Sequence, residues 1–424
     1  MKILIQAVTF LSPLSAYHEK CKDVLLVDGI IKEIKETGSI NENCDQVING
    51  KGLHLCPGFV DLHVNFREPG HEHKEDLMSG CHAAMQGGFT GVLCMPSTSP
   101  PIHNRSAIEF IQNRTKHHLV DVIPSGSLSL NLEGKDLSEM YDMYMAGAKV
   151  FTDDKHVVQD AGLMLRALLY SKNFGGKIFS FPYDSSLVSK GQMHEGEIST
   201  GLGLKGIPSL SEELMIRRDL ALAEYADASI HFSTISTKGS VHLIREAKAK
   251  GLKVTADVSV LNIALTDSEL SGFDSNFKVM PPLRTNEDVE ALIDGLKDNT
   301  IDAICSDHSP EDIENKRKEF DLAHFGAEGL ETAFSAAYSA LKDHLSIDKI
   351  IEKFTIAPRN ILGITNHEIR ETAPANLTLI NLSEEWTVRE EDILSKSKNN
   401  PFITRTLQGK VLFVFNKDQM YSCV

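Results

Sequence analysis

The chain has little of what would direct it to a membrane, a nucleic acid or an oxidising compartment. No apolar run approaches the roughly 20 residues of a bilayer span. Ile3 to Leu14 follow Lys2 and precede Ser15 and Ala16 as a weak secretory core would. Gln6 and Pro13 interrupt that stretch, so it reads better as a first β-strand. Basic residues number 43 against 59 acidic ones, a net charge of -16, which repels polyphosphate backbones and anionic lipid. Nucleic acid and membrane are excluded as partners on this ground, leaving proteins and small molecules. The seven cysteines, Cys21, Cys44, Cys56, Cys81, Cys94, Cys305 and Cys423, form no CxxC pair and no regular spacing. Reduced thiols in a cytoplasmic protein are expected. Also missing are an internal repeat, a GxSxG nucleophile elbow and a glycine-rich phosphate loop after the first strand of the main domain.

What is present is a long alternation. Short apolar runs recur at residues 59–65, 89–95, 119–126, 148–152, 177–181, 229–234, 253–258 and 301–306, each followed by helical patterning. One such helix places Ala161, Leu165, Leu168 and Leu169 at helical spacing and stops at Gly175 and Gly176. Eight strand and helix pairs over about 300 residues predict an α/β fold, a (β/α)8 TIM barrel spanning 56–365, with its site among the loops at the carboxyl ends of the strands. A doubly wound open sheet is the structural alternative. Residues 1–55 and 366–424 differ in texture. Pieces such as Lys22 to Val27, Asn376 to Ile380 and Lys410 to Phe415 predict one small flanking β domain built from both chain ends. Two connections, 182–210 and 309–329, are long enough to be functional or mobile loops.

Barrel chemistry is sought where strands end, and there the chain is sparse. The candidates are His63 and Asn65, Asp153 and Asp154, Phe181, Thr234, and Asp307 with His308. His63, Asp154 and Asp307 share one end of the barrel and are the set that could converge on a single cation. The competing reading is three polar residues satisfied by hydrogen bonds. A dense acid and histidine cluster of the kind two metals need is not visible. His71 and His73 lie beyond the first strand and read as solvated loop histidines. Cys94 and Cys305, inside apolar strands, read as inert small hydrophobes.

The motifs PGFVDLHVNFREPGHEHKE, GGFTGVLCMPSTSP, FTDDKHVVQ, EGEISTGLGLKGIP, STKGSV, NFKVMPPLRT, SDHSP and SKSKNNPF occur in this order. Their order and spacing resemble those of bacterial dihydroorotases of the long, multifunctional-complex type, in the amidohydrolase superfamily. The resemblance runs essentially end to end and implies the same barrel with a flanking β domain.

Carried over residue by residue, the resemblance implies a damaged site. His63 matches the first of a paired-histidine metal ligand set, whereas Asn65 stands at the second. Asp154 matches the aspartate of the fourth strand. Phe181, in FPYD, and Thr234, in TIST, stand where the family has histidines. Asp307 matches the aspartate that ligates metal and shuttles the proton, and is here a vestigial catalytic residue. On the substrate side Arg67 matches the residue gripping the dihydroorotate carboxylate, and His308 a substrate-side histidine. Ser97, in MPSTSP, and Met280, in NFKVMPPLRT, replace asparagines, and SVLN at 259–262 stands where TPHH is usual. The family's metal activates water and polarises an amide carbonyl. A phenyl ring offers no lone pair, and hydroxyl and carboxamide oxygens are weak zinc donors.

The expectation is therefore a dihydroorotase-like protein of pyrimidine biosynthesis without dihydroorotase activity and with no cofactor. It is expected to form a homo-oligomer and to act as structural or regulatory partner of aspartate transcarbamoylase. The long-type family commonly assembles with that enzyme, and inactive homologues serve as its subunits. The alternative is an active hydrolase of dihydroorotate or another cyclic amide, with one zinc on His63, Asp154 and Asp307.

Overall fold

The computed structural model describes residues 1–423. Eight strands form the barrel: β1 Phe59–Val64, β2 Phe89–Cys94, β3 Asp121–Pro124, β4 Val150–Phe151, β5 Lys177–Ser180, β6 Ile230–Phe232, β7 Val254–Ser259 and β8 Ala303–Cys305. β1 to β3 pair in parallel. So do β4 to β8. Single parallel bridges, Gly126 to Phe151 and Val64 to His308, join the two sets and close the ring. All eight apolar runs of the sequence are strands, trimmed at their ends. Strands buried on both faces read as continuous apolar runs, which is why the pattern was legible.

Inside the ring Val60, Leu62, Leu93, Val150, Phe179, Ala303 and Cys305 pack together, and Ile361 and Leu362 join them. The last two belong to the helix Ile356–Leu362, which follows Ile347–Phe354. Helices begin where side chains satisfy their free N–H groups. Asp76 accepts from the N–H groups of Met78 and Ser79 at the start of Leu77–Gln86, and the Ser79 hydroxyl accepts from the Asp76 N–H. Thr285 and Asp288 form the same reciprocal cap on Asn286–Lys297.

One helix buries a different face from the one its sequence suggested. Ala161–Lys172 buries Leu163, Met164, Ala167, Leu168 and Ser171, and leaves Ala161 and Leu169 exposed. The helix is apolar most of the way round, so spacing alone did not fix which stripe faces the barrel. Packing did.

Strands from both chain ends pair into one eight-stranded sheet. Its junction is Leu377–Thr387, antiparallel to His54–Pro57, with Leu377 opposite Pro57. A tight turn at Asp28 and Gly29, both with positive φ, connects Cys21–Val27 to Ile30–Lys35. Lys2–Phe10 is a strand of this sheet. The sheet has its own core, including Ile3, Ile5, Val8, Phe10, Val24, Leu377 and Phe415. Of the long connections, 182–210 contains two short helices, Ser185–Val188 and Glu197–Leu202, and a ribbon pairing Met193–His194 with Gly206–Ile207. The connection 309–329 is pinned from within by Lys316, which donates to the Gly326 carbonyl at 2.9 Å, and from outside by Lys278, which donates to the Phe320 carbonyl at 2.6 Å. No helix among the described residues is long and apolar enough to cross a membrane.

Candidate functional site

At the carboxyl ends of the strands, buried polar side chains close into a ring. His63 Nε2 lies 2.9 Å from Asp154 Oδ1 and 3.6 Å from Asp307 Oδ1. Asn65 Nδ2 donates to Asp154 Oδ2 at 2.9 Å, and the Ser97 hydroxyl donates to the same oxygen. The Ser309 hydroxyl donates to Asn65 Oδ1 at 2.8 Å. Lys155 completes the circuit by donating to Ser309 Oγ at 3.2 Å and to Asp307 Oδ1 at 2.8 Å. The circuit thus runs through His63, Asp154, Asn65, Ser309, Lys155 and Asp307, and back to His63.

The charges in this ring balance without any added ion. Burial would push the His63 imidazole to lower pKa, but the Asp154 and Asp307 carboxylates outweigh it and hold the pKa above its usual range. Burial likewise opposes ionisation of Asp154, and contact with His63, helped by Lys155 and Ser97, holds its carboxyl well below the ordinary carboxylate range. Two cations, Lys155 and an imidazolium, therefore face two carboxylates. A carboxylate bonded to an ammonium offers little to a metal.

The donor set fails the test for zinc in other ways too. His63, Asp154 and Asp307 share one end of the barrel, as the sequence suggested, but do not form a compact ligand cluster. Among the described residues, the group of His, Cys, Asp or Glu ligand atoms lying within 4.8 Å of one another is His18, Glu19 and Asp348, outside the mouth. Thr234 is 1% exposed and its hydroxyl finds no partner, while its N–H donates to Asp257 Oδ1 at 2.6 Å. Phe181 and Met280 fall in one apolar cluster with Val188 and Ile207, flanked by Tyr183 and Phe325. One side of the mouth is a polar ring in which His63 Nδ1, His63 Nε2 and Asp154 Oδ1 are buried without a hydrogen bond, and the other is an apolar plug. With Asn65, Phe181 and Thr234 in place of nitrogen donors, these residues do not fit a two-metal hydrolytic site, and His63, Asp154 and Asp307 are the donors that remain.

The anion-gripping position is filled as well. Arg67 Nη2 lies 3.1 Å from Glu311 Oε1, and its Nε donates to the Pro310 carbonyl at 3.1 Å. Lys74 contacts Glu311 at 2.8 Å, and the Asn399 side chain accepts from the Glu311 N–H. Glu311, 5% exposed, thus presents a carboxylate to the arginine expected to take one from substrate.

His308 lies deeper than its neighbour. Asp307 turns into the mouth, whereas His308 points away, fully buried between Glu75 and Glu328 at 3.5 Å each. Burial works against its charge, yet the two glutamates raise its pKa to about 9. It bridges the barrel to the segment before the helix Leu77–Gln86.

Sequence reasoning missed Lys155, Ser309 and Glu311. The signals were a lysine directly after the retained Asp154 and an acid directly after SDHSP. Lysine is not an ordinary metal ligand, and Glu311 lies past the strand end, inside the connection 309–329, where no ligand was sought. Backbone shape is the other mark of a site. Arg67, Asp154, Thr234 and Asp307 all have left-handed φ, between 50° and 63°. Such conformations cost on the order of 1 kcal/mol or more each and cluster at functional sites.

Comparison with known proteins bears on this geometry. The family described as Dihydro-orotase-like matches residues 52–240. The dihydroorotase of Caldicellulosiruptor saccharolyticus is 41% identical, covering 99% of this chain and 100% of its own length. That of Ruminiclostridium cellulolyticum is 43% identical over 92% of each. Among solved structures, the L-hydantoinase (dihydropyrimidinase) from Arthrobacter aurescens superposes with a TM-score of 0.87 at 21% identity, covering 99% of this chain and 96% of that one. A dihydropyrimidinase from Brevibacillus agri gives 0.83 at 20% identity, covering 99% and 95%. At that identity the solved structures speak for the fold.

Proposed function

Since the chain belongs to the dihydroorotase family, we propose that it is a member that has lost the reaction and acts in the cytoplasm, in pyrimidine biosynthesis, as a structural or regulatory subunit. The observation that carries this reading is the Lys155 ammonium, 2.8 Å from Asp307 in a ring that needs no metal. The carboxylates and the arginine that could start amide hydrolysis are engaged with other side chains. Asp307 is bound to Lys155, Asp154 to His63, Asn65 and Ser97, and Arg67 to Glu311. A general base must be free to take a proton from water or substrate within hydrogen-bond reach. Here Asp307 is held by a cation instead.

Aspartate transcarbamoylase is the partner this reading names, on the strength of the resemblance to long-type dihydroorotases that assemble with it. The test is co-purification of the full chain with transcarbamoylase from the source cells, and a change in that enzyme's sedimentation when the chain is deleted. Unchanged sedimentation would remove the partner from the proposal.

A second reading is favoured by the relatives, which carry the name dihydroorotase at about 41% identity over the whole chain. It is an active hydrolase of a cyclic amide with a single zinc on His63, Asp154 and Asp307. That arrangement requires Lys155 to leave Asp307 and His63 to give up its proton. Metal analysis of protein purified without chelator, with a dihydroorotate turnover assay, separates the two. Stoichiometric zinc and turnover would establish the second reading and reject the first.

A further inference from the structure

The end of the barrel opposite the mouth holds a cavity of about 430 Å³. Lys177, Ser229 and Lys253 line it, each directly at or before the start of β5, β6 or β7. Successive strand residues alternate sides, so Lys177 shares a face with Phe179, Ser229 with His231 and Lys253 with Thr255. Phe179 packs in the barrel interior, which places the three earlier residues at the inward rim.

The floor is rigid. His231 stacks against Phe179 with ring centroids 4.1 Å apart, and its two ring nitrogens are bound to Thr255 Oγ1 at 2.8 Å and Asp257 Oδ2 at 2.9 Å. The walls are apolar, with Ile230, Leu252, Val254, Ala357 and Ile361.

We propose that this cavity binds a small phosphomonoester, with the phosphate held by Lys177 at the rim beside Ser229 and the organic body against the apolar walls. In a chain of net charge -16 the cavity gathers three lysines, Lys177, Lys253 and Lys353. Lys177 is half-buried and, among the described residues, has no ion-pair or hydrogen-bond partner; burial alone lowers its pKa. An ammonium desolvated without a counter-charge is a cost that a bound dianion would offset. Lys353 is anchored by Asn299 Oδ1 at 3.0 Å and the Ile301 carbonyl at 2.9 Å, and has one further N–H to offer. Lys253 is partly engaged by Asp227 at 2.8 Å. Of the lining carboxylates, Asp302 is bound to Lys248 at 2.7 Å, and Glu352 is the one that limits how much negative charge the site takes. The volume lies in the range of small-ligand pockets, larger than free phosphate needs.

The site is independent of the mouth and stands whether or not the mouth hydrolyses anything. Calorimetric titration of the full chain with phenyl phosphate, inorganic phosphate and phenol tests it. Phenyl phosphate should bind at least about tenfold more tightly than either fragment, and Lys177→Met should weaken it by about tenfold or more. Ser229→Trp, an added ring at an exposed rim position, should abolish binding even if Lys177→Met folds poorly. Arg67→Met, at the mouth, should leave it unchanged. No binding at about 10 mM, equal affinity in the Ser229→Trp variant, or loss of binding in Arg67→Met would each overturn the proposal.

Discussion

Replacing Lys155 by Met is the sharpest perturbation of the closed mouth. Asp307 is 3% exposed, and with Lys155 gone its nearest cation is His63 at 3.6 Å. Removing one partner of a fully buried pair costs about 3–5 kcal/mol, because the remaining charge stays desolvated. Lys155 itself is 21% exposed, so water recovers part of that and an exposed pair would be worth about 0–1 kcal/mol. The expected loss for Lys155→Met is therefore about 2 kcal/mol. Asp307→Asn alone should lose a similar amount, since it strands the ammonium. The double variant should lose clearly less than the sum, leaving a coupling energy of about 1–2 kcal/mol. The assay is urea unfolding of wild type, both single variants and the double variant, followed by far-ultraviolet circular dichroism in the presence and absence of chelator. A coupling below about 0.5 kcal/mol, or a wild-type curve that shifts to lower urea when chelator is added, would refute the reasoning. Either result would mean that Asp307 has a partner other than Lys155, a metal in the second case.

Restoring histidine at 65, 181 and 234 together should regain zinc binding measurable by equilibrium dialysis, whereas each single reversion should regain almost none. A tightly metallated Asn65→His protein would contradict the picture of a thoroughly dismantled site. His308 makes stability fall on the alkaline side: its folded pKa of about 9 lies above the usual 6.5, so its contribution is complete below pH 6.5 and lost as pH rises through 9. That contribution is on the order of 3 kcal/mol, and His308→Gln should be less stable at pH 6.5 and lack the decline to pH 9 in a melting series. Glu311→Gln should release Arg67 and Lys74 and loosen residues 309–329, read as faster amide hydrogen exchange there with little change in the barrel strands. Unchanged exchange would show that Lys316 and Lys278 hold the connection unaided.

Most of the barrel could be read in advance because its strands are buried on both faces and carry no other signal. Val60, Leu62, Leu93 and Val150 face the interior while Phe59, Val92 and Phe151 pack in the outer core, so both faces of these strands are mostly apolar. The small sheet was harder, since its pairing of His54–Pro57 with Leu377–Ile380 joins segments over 300 residues apart that no local pattern links. Its strands were visible singly; their order was not. At the mouth, the ligand positions could be assigned one at a time from motifs, but what now occupies the space could not. Lys155, Ser309 and Glu311 act through contacts with residues from other strands, and their types gave no warning. The side to which His308 turns was illegible for a related reason. Adjacent residues at a strand end point to opposite sides, and SDHSP does not say which of Asp307 and His308 turns inward.

The left-handed residues are held by the surrounding fold rather than by the side chains at the mouth. Arg67, Asp154, Thr234 and Asp307 adopt φ values that L side chains disfavour, and the surrounding fold imposes them. Asp61 shows how: its carboxylate accepts from the His63 and Ser306 N–H groups at 2.8 Å each, fixing the ends of β1 and β8 against one another. Asp257 does the same for Thr234 from β7. Both anchors lie below the mouth and touch backbone, so substitution of the side chains above leaves them intact. Thr234 thus keeps the conformation of a strand-end residue while its hydroxyl has nothing to bind. The same backbone anchors close the barrel, so the strain persists whatever side chains stand above them. The ring through Lys155 is the outer layer on that scaffold, with Lys155 and Asp307 paired at 2.8 Å.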